Sequence, residues 1–157
     1  MTTHFSRSLH YAGIDAATAY ATVSQAPLPE VFAQRSGPFP PVVDVTEQVG
    51  EWAREVGQSR RIHTSDGGSV LETLTEVDAP HTFAYRLSEI AGPMKLLVGG
   101  LDGRWSCTPE GDGTRVAWTW DVDASIFLTA PLLPVLRAFW KPYAAHALAA
   151  MDAMARA

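Results

Sequence analysis

The spacing of apolar and polar side chains changes period several times along the chain. In "HFSRSLHYAG", Phe5, Leu9 and Tyr11 share one parity among serines and histidines. A two-residue period is that of a half-buried strand, here ending at Gly13. Asp15 then stands where a carboxylate accepts the free N–H groups of a first helical turn, which predicts a short helix over "AATAYATVSQ". Pro27 ends that helix, Pro29 sits in the first turn of a second, "PEVFAQR", and Gly37 stops it ahead of the stiff connector "GPFPP".

From residue 42 the pattern is that of strands. "VVDVTEQ" (42–48) is followed by a loop around Trp52 and Gly57, and "SRRIHT" (59–64) and "SVLETLTEV" (69–77) flank the hairpin turn "SDGG". "DAP" turns the chain into "HTFAYRLSE" (81–89), where Phe83, Tyr85 and Leu87 share a face. A stretch broken by Gly and Pro (91–103) precedes the strand "RWSCTP" (104–109), and "EGDGT" leads into "RVAWTWDVD" (115–123). There Val116, Trp118, Trp120 and Val122 form one parity, while Thr119 and Asp121 take the other. The segment from about Pro131 to Arg156 is rich in Ala, Leu and Met and predicts one long helix, kinked or loosened at Pro142.

Strands joined by tight turns are antiparallel, and a single amphipathic helix covers only part of a seven-stranded sheet. The expected α+β architecture is therefore a curled antiparallel sheet with two short helices after its first strand and one long C-terminal helix. All of 1–157 is expected to form one domain, since no linker or repeat interrupts it.

That order of elements resembles the helix-grip fold of the START and birch-pollen-allergen superfamily, also called SRPBCC. "IDAATAYATVSQAPLPEVF" is similar to the first helix pair of its bacterial members. "SDGGSVLETLTEVDAPHTFAYRL" is similar to their central hairpins, and "GRWSCTPEGDGTRVAWTW" to their last two strands. The resemblance is to the polyketide cyclase/dehydrase branch. It implies a largely apolar cavity between sheet and long helix that takes a lipid-like, aromatic or polyketide ligand. In some relatives cyclisation, dehydration or hydrolysis occurs there. No catalytic residue carries over.

Charge and composition narrow the partners. A net charge of −5 without a basic stripe argues against nucleic acid. The most apolar stretch, "SIFLTAPLLPVLRAFW", is cut by Pro131, Pro134 and Arg137 and falls short of a membrane span. One cysteine, Cys107, suits a reducing compartment, and "MTTHFSRSLH" lacks a signal peptide's apolar run, so a cytoplasmic location is expected. His4, His10, His63, His81 and His146 have no metal-ligand spacing, no serine lies in a G-x-S-x-G motif, and no cofactor is implied.

The candidate site residues are a carboxylate, an aromatic wall and one helix face. Glu72 shares parity with Val70 and Leu74. If that face is inward, Glu72 is a carboxylate in an apolar cavity, suited to acid–base work; alternatively it pairs with Arg60 or Arg86, or faces solvent. Phe83, Tyr85, Trp105, Trp118 and Trp120 form either a cavity wall or solid core packed against Leu136 and Phe139. Phe139, Tyr143 and His146, spaced by four and three, share one helix face, which looks either into the grip or partly into solvent.

Three functions follow. The chain binds a hydrophobic or aromatic small molecule. Alternatively, it is a cyclase/dehydratase-type enzyme using Glu72, Tyr143 and His146, assisted by Tyr85. The third reading is an interaction module built on the Pro- and Leu-rich 126–140 surface. Alanines 144, 145, 147, 149 and 150 permit close approach to the sheet or a protein interface such as a homodimer.

Overall fold

The computed structural model describes residues 2–157. Strand β1 (Thr2–Tyr11) is followed by helices α1 (Ala16–Gln25) and α2 (Leu28–Val31), then by β2 (Val42–Thr46), β3 (Ser59–Thr64), β4 (Ser69–Asp78) and β5 (Thr82–Ala91). A 3-10 turn (Pro93–Leu96) leads to β6 (Val98–Glu110) and β7 (Gly113–Ala124). A second 3-10 segment (Phe127–Leu132) opens into α3 (Leu133–Arg156). The sheet order is β1-β7-β6-β5-β4-β3-β2, antiparallel throughout.

Local chemistry explains most of these boundaries. The Asp15 carboxylate accepts from the Thr18 N–H at 2.8 Å and starts α1. In the β3–β4 turn, Asp66 Oδ1 accepts from the Thr64 hydroxyl at 2.7 Å and the Gly68 N–H at 2.9 Å, closing the hairpin.

Four boundaries differ from the sequence expectation. The second helix has only its four residues, because Phe32 already leaves helical geometry (φ −108°, ψ 51°) and its carbonyl accepts from the Val42 N–H. Strand β2 ends at Thr46, since Glu47 adopts a positive φ of 63°. The stretch 98–103 is strand despite its glycines, because β5 and β7 both pair with it and outweigh weak local propensity. The long helix begins at Leu133 and continues through Pro142.

The core lies between the concave sheet face and α3. That helix buries Leu133, Leu136, Trp140, Tyr143, Ala144, Ala147, Leu148 and Met151. Phe5, Val116, Trp118, Trp120 and Val122 are buried on the facing strands, with Phe5 paired to Trp120 across β1 and β7. The Tyr11 hydroxyl donates to the Leu148 carbonyl at 2.6 Å, tying the edge strand to the helix. Among the described residues no helix is long and apolar enough to cross a membrane.

Candidate functional site

Sheet, α2, α3 and the Phe39–Pro40 connector do not fill the space they enclose. A cavity of about 150 Å³ remains, bordered by Glu72, Phe83, Tyr85, Trp105, Trp118, Trp120 and Tyr143 among others. Its lining reaches exposed Asp66 and Ala91 and half-buried Met94, so it opens toward the β3–β4 turn and the end of β5.

The aromatic wall is ordered by cross-strand pairing. Trp105 faces Trp118 on neighbouring strands, and their rings stack at 4.7 Å with planes 6° apart. Trp118 and Trp120 meet edge to face at 5.3 Å. Trp140 of α3 backs both, at 5.0 and 5.6 Å. On the helix side, Tyr143 stacks between Phe32 and Phe39, with centroids 5.1 and 5.2 Å away.

Tyr85 is the polar centre of this wall. Its oxygen accepts from Trp118 Nε1 at 2.8 Å and from Trp120 Nε1 at 3.0 Å. A phenol oxygen has two acceptor positions and one O–H donor. Both acceptor positions are filled, and among the described residues nothing accepts from the O–H. Burial pushes this phenol well above its ordinary pKa, the nearby Glu72 charge pushes it further, and the two indole N–H groups pull it back only partly. Tyr85 therefore stays protonated and keeps its donor.

Gly103 makes this arrangement possible. It pairs with Tyr85 on one side and Trp120 on the other, and a Cβ there would lie 2.1 Å from Tyr85 Cζ. The tyrosine ring lies across the strand because that strand has no side chain beneath it. We expect Gly103→Ala to displace the ring and destabilise the fold by about 1–3 kcal/mol through overpacking. Urea unfolding monitored by tryptophan fluorescence checks this.

Glu72 does face inward and is also paired. Its Oε1 accepts from Arg60 Nε at 2.6 Å, with both side chains almost fully buried. Arg60 lies 4.0 Å from the centroid of the Trp52 ring and donates to Gln48 at 3.4 Å. Arg86, the other expected partner, pairs instead with Asp102 and Asp123. Burial holds the Glu72 carboxyl above its ordinary range, and the Arg60 charge and hydrogen bond offset part of that rise. Glu72 Oε2 makes no hydrogen bond among the described residues.

Two expected site residues lie outside the cavity. The inward stripe of α3 runs Leu136, Trp140, Tyr143, Ala147, so Phe139, one residue before Trp140, is turned about 100° away from it. Phe139 is exposed, its ring lies over Gly37, and its carbonyl accepts from the Ser36 hydroxyl at 2.7 Å. His146 is exposed and borders a separate groove of about 90 Å³ beside Glu30 and Gln34. Tyr143 borders both spaces, and burial raises its hydroxyl pKa. The Cys107 thiol is pushed up to about 12 by burial, which makes it a poor nucleophile. Among the described residues no group of three His, Cys, Asp or Glu side chains could hold a metal ion.

Sequence reasoning missed the helix-side lining, chiefly Phe32 and Phe39, and the backing Trp140. A phenylalanine set between the prolines of "GPFPP" was the available signal for Phe39.

A curled seven-stranded sheet gripping a long helix around an apolar cavity defines a helix-grip protein. Residues 2–156 match the family described as polyketide cyclase/dehydrase and lipid transport, and the chain belongs to that family. Among solved structures, Ara h 8.0201 superposes with a TM-score of 0.75 at 12% identity, covering 99% of this chain and 98% of its own. The Zhui aromatase/cyclase from Streptomyces gives 0.69 at 17% identity, over 99% and 94%. Norcoclaurine synthase from Thalictrum flavum gives 0.66 at 17% identity, over 98% and 86%. No curated protein matches the sequence.

Proposed function

We propose that this protein binds a small apolar molecule, aromatic or lipid-like, that presents one oxygen acceptor to Tyr85. The observation that carries this reading is the Tyr85 hydroxyl, whose oxygen is occupied by two indole donors while its O–H remains free on an apolar wall. A cavity of about 150 Å³ has room for a single aromatic ring. Its open end leaves room for a longer tail. Apolar pockets with few polar groups bind by shape and burial and orient their ligand through those groups.

Acetophenone, a ring with one carbonyl, is the test ligand. Its binding should change the emission of the stacked Trp105–Trp118 pair in a saturable titration. No change with acetophenone or with medium-chain fatty acids would overturn the reading.

A cyclase/dehydratase-type enzyme is the second reading, supported by the unengaged Glu72 Oε2 near the cavity. The names of the aromatase/cyclase and norcoclaurine synthase neighbours describe enzymes on this fold. His146 has no place in such a mechanism, because it lies on the far side of Tyr143. Exchange of the bound ketone's methyl protons with D2O, abolished in Glu72→Gln, would mark an enzyme. Binding without exchange marks a carrier.

A further inference from the structure

Arg60 belongs to two spaces at once. It borders the apolar cavity, and it also borders a second pocket of about 300 Å³ that lies between residues 24–29, where α1 passes into α2, and β2 with the loop after it. Glu72 borders only the cavity, whereas Gln48 and Trp52 border only the second pocket. Arg60 Nε donates to Glu72 at 2.6 Å and Nη1 to Gln48 at 3.4 Å. One edge of the guanidinium therefore addresses the cavity, and its far end addresses the second pocket.

That far end is held in place and short of acceptors. The Trp52 ring, 4.0 Å from the guanidinium carbon, covers one of its faces. Trp52 is itself tied to α1, its carbonyl accepting from Gln25 Nε2 at 2.8 Å. A guanidinium carries five N–H donors, and a buried charge is ordinarily fully hydrogen-bonded. Here one donor has a short bond and one a long contact to Gln48; the rest have no acceptor among the described residues. Arg60 is the one cation bordering this pocket and Asp44 the one acid. Arg60 is buried at the floor, while Asp44 is exposed, its Oδ1 accepting from the Val45 N–H at 2.9 Å. The inner end of the pocket is thus positive and short of acceptors, and the opposing charge is at the wet rim, where solvent screens it. A carboxylate meets a guanidinium end on through two parallel hydrogen bonds. Such a contact displaces only the long Gln48 bond and leaves Arg60 on Glu72. Pro27, Leu28 and Val45 stand ready for the apolar part of the same molecule.

We propose that the second pocket binds a small organic carboxylate end on to Arg60, as a site separate from the apolar cavity. It does not depend on which ligand the cavity takes.

Titration calorimetry of the full chain with benzoate and with its uncharged analogue benzamide tests this. Benzoate should bind saturably and about tenfold or more tightly than benzamide. It should bind equally well when acetophenone is present in excess, because the two molecules occupy different spaces. Arg60 is a poor position to substitute, since its loss strands Glu72. Gln48 is exposed and borders only the second pocket, so Gln48→Glu places a competing carboxylate beside Arg60 and should weaken benzoate about tenfold. Asp44→Asn removes the opposing charge at the rim and should tighten benzoate about twofold. Benzoate binding no stronger than benzamide, displacement of benzoate by acetophenone, or an affinity indifferent to both substitutions overturns the proposal. Absence of acetophenone binding would count against the cavity reading alone, and the response to Gln48→Glu would still decide the second pocket.

Discussion

Arg60→Met is expected to destabilise the protein by about 3–5 kcal/mol, the range for breaking a buried ion pair from one side. Arg60 Nε is the donor to Glu72 Oε1, and both side chains are buried. Methionine fills similar volume and leaves the carboxylate in an apolar cavity with nothing opposite it. The loss depends on pH with a definite sign. Glu72's folded pKa is already above its ordinary value because of burial, and Arg60 limits that rise. Between the ordinary and the raised value the folded state holds more protons than the unfolded chain, so stability falls as pH rises through that window. Removing Arg60 raises the folded value further and widens the window upward. The difference from wild type should be largest at neutral and alkaline pH and shrink as pH falls toward the ordinary carboxylate range. Urea titrations across pH measure it. Arg60→Met combined with Glu72→Leu should recover most of the loss, because replacing the whole pair removes the stranded charge. A Glu72 that faced solvent would give neither the large loss nor the recovery.

Tyr85→Phe is the second large effect, about 2–6 kcal/mol. Removing one oxygen leaves the Trp118 and Trp120 N–H groups without their common acceptor, at about 1–3 kcal/mol for each buried group left unpaired. Trp118→Phe removes one of the two donors and leaves no stranded group, so it should destabilise less than Tyr85→Phe does. Equal stabilities for wild type and Tyr85→Phe, measured by calorimetric melting, would show that the indole donors are satisfied in another way.

The sequence made some of this legible and concealed the rest for identifiable reasons. The parity of "RVAWTWDVD" places Trp118 and Trp120 inward, since a strand buried on one face admits no other register. The same reasoning places Glu72 beside Val70 and Leu74, with Arg60 on the adjacent strand. It could not show that Tyr85, Trp118 and Trp120 converge on one oxygen. That depends on Gly103 lying between Tyr85 and Trp120, and hence on the pairing of three strands at once. Glycines that mark a loop in a one-dimensional reading here clear space for a ring.

The error at Phe139 and His146 is one of helical phase. A four-and-three spacing fits several stripes of an alanine-rich helix. Only the packing of Trp140 against Phe5, Trp118 and Trp120 selects the stripe that faces inward.

The proposed ligand oxygen meets the Tyr85 O–H on the cavity wall. Titration calorimetry with acetophenone and with ethylbenzene, two rings of similar shape that differ in the carbonyl, tests it most directly. Both should bind, the ketone about tenfold more tightly in wild type, and the preference should disappear in Tyr85→Phe where that variant folds. Equal affinity for the two in the wild-type protein, or no binding of either, would contradict it.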